Sequence, residues 1–222
     1  MKAFIVLAAA LLLSQEKNEA EELFRKMEEK FVQAKTLQVN AKATLDEGKI
    51  DSTAQLMVGE GNRARIAVEM KFMGSTRSFS SVSDGKSIQL TSAEGTRLPA
   101  YPTPESFGQL MRKSVAICGV YIGSGCFSGG QAGTDPATAY RLSSFVMGPK
   151  GKIGDIETQA VQYKAAPKLG EELTVIIWID PKTQLPLKRS VVGKERSMEE
   201  TYTEIKLDEK IDAAKFELPK DK

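Results

Sequence analysis

Near Thr36 the spacing of apolar residues changes from a period of about 3.6 to a period of 2, and most of the remaining chain keeps the second period. Before the change, Ala20, Leu23, Phe24, Met27, Phe31 and Ala34 recur at helical spacing, while Glu22, Arg25, Lys26, Glu29 and Lys30 take the other face. This predicts an amphipathic helix over about Glu19–Lys35, opened by Asn18 with Glu21 as its capping partner. After the change, Leu37, Val39, Ala41, Ala43 and Leu45 alternate with Gln38, Asn40, Lys42 and Thr44. That is a strand with one covered and one wet face, ending at Glu47-Gly48. Strands are expected over Thr53–Val58 and Arg63–Phe72, with shorter ones near Arg77–Val82 and Lys86–Leu90 joined by the Ser83–Lys86 turn. Repeated strands at this spacing form an antiparallel meander. A helix with one apolar stripe, beside a sheet with one apolar face, defines an α+β domain.

The middle of the chain breaks the pattern. Pro99, Pro102 and Pro104 interrupt the strands, and Thr103-Pro104 can start a helix bearing Phe107, Leu110, Met111 and Val115 on one face. A glycine-rich stretch runs from Cys118 to Gly133. Asp135-Pro136 then predicts a short helix with Tyr140, Ser144 and Met147 on one side. Residues 99–149 therefore read as a helical, Gly-rich insertion between two runs of sheet. Strands resume at Lys152–Ala165. Leu173–Ile179 is nearly all apolar, which implies cover on both faces. Asp180–Thr183 makes a turn, and Leu185–Val192 runs back. Glu199–Leu207 is expected to set Thr201, Thr203, Ile205 and Leu207 on one face and Tyr202 on the other. Ala213–Leu218 closes the chain.

The N-terminus implies export. Met1-Lys2 is a short positive start, and Phe4–Leu13 is an unbroken apolar run, shorter than the roughly 20 residues a spanning helix needs. Residues 1–14 read as a signal peptide and 15–222 as a single domain. Cleavage after Ala10 fits the small-x-small rule better but shortens the run; a retained N-terminal helix is the other reading. No later apolar stretch is long enough to span a bilayer.

The 31 Lys and Arg residues are interleaved with 29 Asp and Glu, so no basic block argues for nucleic acid. The chain has no histidine, which removes the usual general base and the commonest metal ligand. No Ser/His/Asp or Cys/His constellation and no phosphate-cradling loop is present; two carboxylates could meet in space, but among 29 Asp and Glu residues that carries no specificity, and no catalytic residue, metal or cofactor is expected. Cys118 and Cys126 are the only cysteines. In an oxidising compartment their spacing suggests a disulfide; two unpaired buried thiols are the alternative.

From Val175 to Arg189 the chain reads Val-Ile-Ile-Trp-Ile-Asp-Pro-Lys-Thr-Gln-Leu-Pro-Leu-Lys-Arg. This block resembles the strand–turn–strand pattern of the outer-membrane lipoprotein carrier superfamily and of a periplasmic branch within it. Trp178, Asp180, Thr183, Pro186 and Leu187 stand at the recurring positions. The exported N-terminus, the helix leading directly into Leu37–Leu45, and Phe216 with Pro219 near the end are similar as well. The Cys118–Cys126 stretch departs from the pattern. The resemblance implies a half-open antiparallel β-barrel of about eleven strands, with the N-terminal and inserted helices as a lid over a hydrophobic cavity. It implies a lipid, an acyl chain or the acyl chains of a lipoprotein as ligand, in the periplasm of a Gram-negative-type envelope.

The expected function is therefore non-catalytic binding by a monomer. Phe31, Met70, Phe72, Phe107, Met111 and Trp178 are the expected cavity lining, chosen for apolar bulk on inward faces. The competing reading is an envelope protein-interaction or stress-sensing module with a filled core and no lipid ligand.

Overall fold

The computed structural model describes residues 18–123, 135–168, 170–194 and 197–219. The proposed signal peptide and Cys126 lie outside them.

Helix α1 (Glu19–Gln33) begins where the sequence places it. The side chain of Asn18 accepts the backbone N–H groups of Ala20 and Glu21, and its Nδ2 donates to the carbonyl of Phe145 at 3.0 Å. One cap thus starts the helix and ties it to the sheet. Beyond α1 come β1 (Leu37–Leu45), β2 (Ile50–Val58), β3 (Arg63–Phe72), β4 (Ser75–Asp84), β5 (Ser87–Thr91) and the short β6 (Tyr101–Pro102). Helix α2 (Phe107–Gly123) and the short α3 (Pro136–Ala139) come next. The chain then returns as β7 (Tyr140–Ile153), β8 (Ile156–Pro167), β9 (Leu173–Ile179), β10 (Pro186–Val192) and β11 (Ser197–Leu207), and a 3-10 turn at Ala213–Phe216 ends it.

Among the described residues, eleven strands make one antiparallel sheet in the order β6-β5-β4-β3-β2-β1-β11-β10-β9-β8-β7. β6 and β7 stand at opposite edges, so the sheet is a barrel left open. Its inner face carries the alternating residues Leu37, Val39 and Ala41 of β1, Ala64, Ile66 and Val68 of β3, and Val175, Ile177 and Ile179 of β9, all buried. Helix α2 lies against β1, β2 and β3, and α1 lies beside it against β7 and β8. The α+β half-open barrel with helices on one face is the architecture expected.

Several local expectations change. The helix expected to start at Pro104 starts at Phe107, because Thr103 is tied to the neighbouring strands just past β6: its N–H donates to the carbonyl of Lys86 and its hydroxyl meets that of Ser83 at 2.9 Å. The helix expected to carry Tyr140, Ser144 and Met147 is four residues long, and those three side chains stand on β7. β7 is an edge strand with register shifts at Ser143/Val146 and Met147/Lys150, and Ser144 has φ 55°. These bulges destroy the two-residue period by which a strand is read. The segment between the two runs of sheet is thus residues 103–139 rather than 99–149. β9 buries only alternate residues; Ile176 and Trp178 are half-buried on the outer face.

β11 also departs from its reading. It pairs with β1 through Ile205↔Val39 and Tyr202↔Ala41, with a bulge between. Thr203 is the extra residue, and its hydroxyl donates to the carbonyl of Asn40 at 3.1 Å. The bulge turns Met198, Glu200 and Tyr202 inward while Ile205 and Leu207 still pack on the core.

Candidate functional site

Helix α2 is broken at Gly119, whose φ of 81° and ψ of 177° are not helical. Both new helix ends are met by side chains from the sheet. On the upstream side, the carbonyl of Ala116 accepts Nη2 of Arg189 at 2.6 Å, and that of Ile117 accepts the hydroxyl of Tyr163 at 3.0 Å. On the downstream side, the N–H groups of Val120 and Tyr121 donate to Oε1 of Glu200 at 3.0 and 2.9 Å. A cation therefore sits at a helix C-terminus and an anion at a helix N-terminus, each satisfying groups the break leaves open. A Cβ on residue 119 would run into the Glu200 carboxylate and come within 3.1 Å of Arg189 Nη1. Glycine is required here by conformation and by space.

Arg189 and Glu200 are register partners across β10 and β11, and both are fully buried. The Tyr202 hydroxyl donates to Oε2 of Glu200 at 2.7 Å. Burial raises the Glu200 carboxyl above its usual range, against the pull of Arg189 and of the donors around it. Burial also pushes the Tyr163 phenol up to about 12. Among the described residues, Arg189 retains two buried donors, Nε and Nη1, with no hydrogen-bond partner, and the Ser52 and Ser81 hydroxyls on the inner face are in the same condition. Buried polar groups are nearly always satisfied, so the open donors of Arg189 at the break of α2 are an exception.

The expected lining residues divide into groups. Phe31 of α1 and Phe107 and Met111 of α2 are fully buried and belong to one core with the inner face. They are joined there by Phe24, whose ring lies 4.8 Å from that of Tyr163 and 5.3 Å from that of Phe145. Met70 is half-buried at the margin, where its Sδ accepts the Tyr121 hydroxyl at 3.3 Å. Phe72 is 46% exposed at the end of β3. Trp178 is on the outer face, because strand alternation puts it opposite Ile177, and Lys188 lies 5.2 Å from its ring. Cys118 is buried beside the break, whereas Cys126 and any bridge to it lie outside the described residues. A groove of about 740 Å³ also opens on the outer face of β1–β4, bordered by Asn40, Gln55, Ser78 and Ser80.

The residues that sequence reasoning missed are Gly119, Tyr163, Arg189, Glu200 and Tyr202. One signal was available: Arg189 precedes the inward Val191 by two positions, so a charge fell on a covered face. Nothing local marks Glu200, because the bulge at Thr203 reverses the parity of β11.

By sequence, no protein-family model and no curated protein matches the chain. By structure, it resembles LprF from Mycobacterium bovis, at TM-score 0.54 and 9% identity over 88% of this chain and 95% of that one. It resembles the Mycobacterium tuberculosis lipoprotein LppX at TM-score 0.50 and 12% identity, over 88% and 98% of the two chains. A conserved protein from Thermus thermophilus matches at TM-score 0.51 and 12% identity, over 92% and 96%. The likeness is one of fold, and the fold is the one the lipoprotein carrier resemblance implies. Among the described residues no helix is long and apolar enough to cross a membrane.

Proposed function

We propose that this is an exported, non-catalytic binding protein of the envelope that holds a lipid or an acyl chain, including those of a lipoprotein. The ligand lies between the inner face of the sheet and helices α1 and α2. The observation that carries the reading is the fully buried Arg189 at the break of α2, beside Glu200 and Tyr163 within an otherwise apolar face, with two donors that no described residue accepts. An acyl chain would take the place of apolar side-chain contacts there, and its oxygen-bearing end would face Arg189. The fold shared with a mycobacterial lipoprotein supports the same reading. A Cys118–Cys126 disulfide, in a monomer exported to a periplasm, belongs to the proposal.

The test is native mass spectrometry of the protein purified from its own host, before and after delipidation. A lipid adduct that is removed and then restored by added fatty acid is expected. If no adduct forms and acyl probes do not bind, the reading fails. Alkylation with and without reductant tests the bridge: two modified cysteines in the unreduced protein rule it out.

A second reading is a protein-interaction or stress-sensing module. It is favoured by the complete burial of Phe24, Phe31, Phe107 and Met111 between helices and sheet, which leaves that space filled by side chains. It predicts no lipid adduct and a stable complex with an envelope protein.

A further inference from the structure

The turn between β3 and β4 is built against the usual rules. Phe72 pairs with Ser75, so Met73 and Gly74 form a two-residue hairpin turn. Both have positive φ, 47° and 75°. Turns of this kind favour Asn, Asp or Gly at the first position, which tolerate the left-handed region and hydrogen-bond to water. Here that position holds methionine, 86% exposed, next to a phenylalanine 46% exposed. The choice is unfavourable for the backbone and unfavourable in water.

The surroundings name a partner. Lys71 and Arg77 flank the tip and both are exposed, whereas the nearest acids, Glu69 on β3 and Asp51, the register partner of Lys71 on β2, lie farther back from the tip or on the next strand. The neighbouring β1–β2 turn is mixed, with Asp46 and Glu47 against Lys49. Phe72 pairs with Ile50, and Ile50 with Leu45, so the apolar tip continues along the rim into half-buried side chains. Two positions back along β3, Met70 meets Tyr121 just past the break of α2. An apolar tip flanked by cations is the arrangement that enters the boundary between acyl chains and phosphates of a bilayer.

We infer that the β3–β4 turn is a membrane-docking tip, in which Phe72 and Met73 enter a lipid surface and Lys71 and Arg77 rest on its phosphates. The docking goes beyond acyl-chain binding and does not depend on it. It brings the end of the barrel at which α2 is broken against the bilayer.

Flotation with vesicles of phosphatidylcholine, with and without phosphatidylglycerol, tests this. The wild-type chain is compared with a Phe72→Ser/Met73→Asn variant carrying the same N-terminus, so any affinity of Phe4–Leu13 is common to both. Asparagine suits the turn, so the variant keeps its fold by circular dichroism and thermal melting. It is expected to bind vesicles weaker by about tenfold or more. In a Trp178→Phe background, Phe72→Trp is expected to shift its emission to the blue on vesicles and to be quenched by brominated acyl chains. Equal vesicle binding by wild type and variant overturns the inference. So does an unquenched tryptophan on bound protein, or a tip that cross-links to another protein without vesicle association. Acyl-probe loading of the same variant is read separately and reports on the lipid-binding function alone.

Discussion

Arg189 and Glu200 face one another across the β10–β11 pair, fully buried, and between them the backbone of α2 turns at Gly119. Each charge is held by a helix end: the guanidinium by the carbonyl of Ala116, the carboxylate by the N–H groups of Val120 and Tyr121. The attachment of α2 to the sheet is thus polar at its centre and apolar around it.

Removing one charge strands the other. Arg189→Met is expected to destabilise the protein by about 3–5 kcal/mol, and Glu200→Gln by less because the amide oxygen still accepts. The double variant should lose less than the sum of the two, by about 1 kcal/mol or more. Urea unfolding of the four proteins measures the coupling, and strict additivity would show that the two groups act independently.

Gly119→Ala is expected to be at least about 2 kcal/mol less stable than wild type. Its Cβ meets the Glu200 carboxylate, and a φ of 81° is strained for any residue but glycine. Gly48 also has a positive φ, 88°, but opens onto free space. Gly48→Ala is therefore the control, and it isolates the conformational part of the effect.

Alkali should loosen the core. The Tyr163 phenol rises from 10.0 to about 12 because it is buried. Its neutral form therefore contributes stability that is complete below pH 10 and is lost as pH rises from 10 to about 12. The full difference corresponds to about 3 kcal/mol. Tyr202 shifts in the same direction, also through burial. Tyr163→Phe should lose about 1 kcal/mol at pH 8 with its bond to Ile117, yet decline less between pH 8 and 11 than wild type does.

Two aromatic residues should behave oppositely because they occupy opposite faces. Phe24→Ala empties the ring cluster beneath α1 and is expected to be destabilising by about 3–5 kcal/mol. Trp178→Ala is expected to lose only about 1 kcal/mol, since Trp178 stands half-buried beside Lys188. Acrylamide should quench Trp178 in the native protein, and acyl ligands on the inner face should leave its emission unchanged.

The parts of the fold legible in the sequence are those where periodicity and tertiary burial agree. Helix α1, with Asn18 as cap, β1 and β3 fall within two residues of their expected ends because one face of each is covered over most of its length. The illegible parts share a cause. β7 and β11 carry bulges, and one extra residue inverts inward and outward for everything beyond it. Trp178 reads as inward from sequence because Leu173–Ile179 is apolar at nearly every position, which leaves no alternation to distinguish the faces. The core residues Phe31, Phe107 and Met111 are marked by bulk and spacing. The charged pair at the break of α2 is not, since its partners are far apart in the chain and meet only when the sheet forms.

The sheet is joined at its middle by the first and last strands, residues 37–45 against 198–207. Each flanking run can assemble from neighbouring hairpins, but the seam closes only after nearly the whole chain is available, which makes completion a late, long-range event. Until then β1 is an open edge with unpaired backbone groups, the kind of surface that recruits another chain. A polypeptide stopped short of Ser197 would therefore keep most of its helices and hairpins and still be prone to aggregate. Of all its strands, β11 is the one whose arrival turns two half-sheets into a protein.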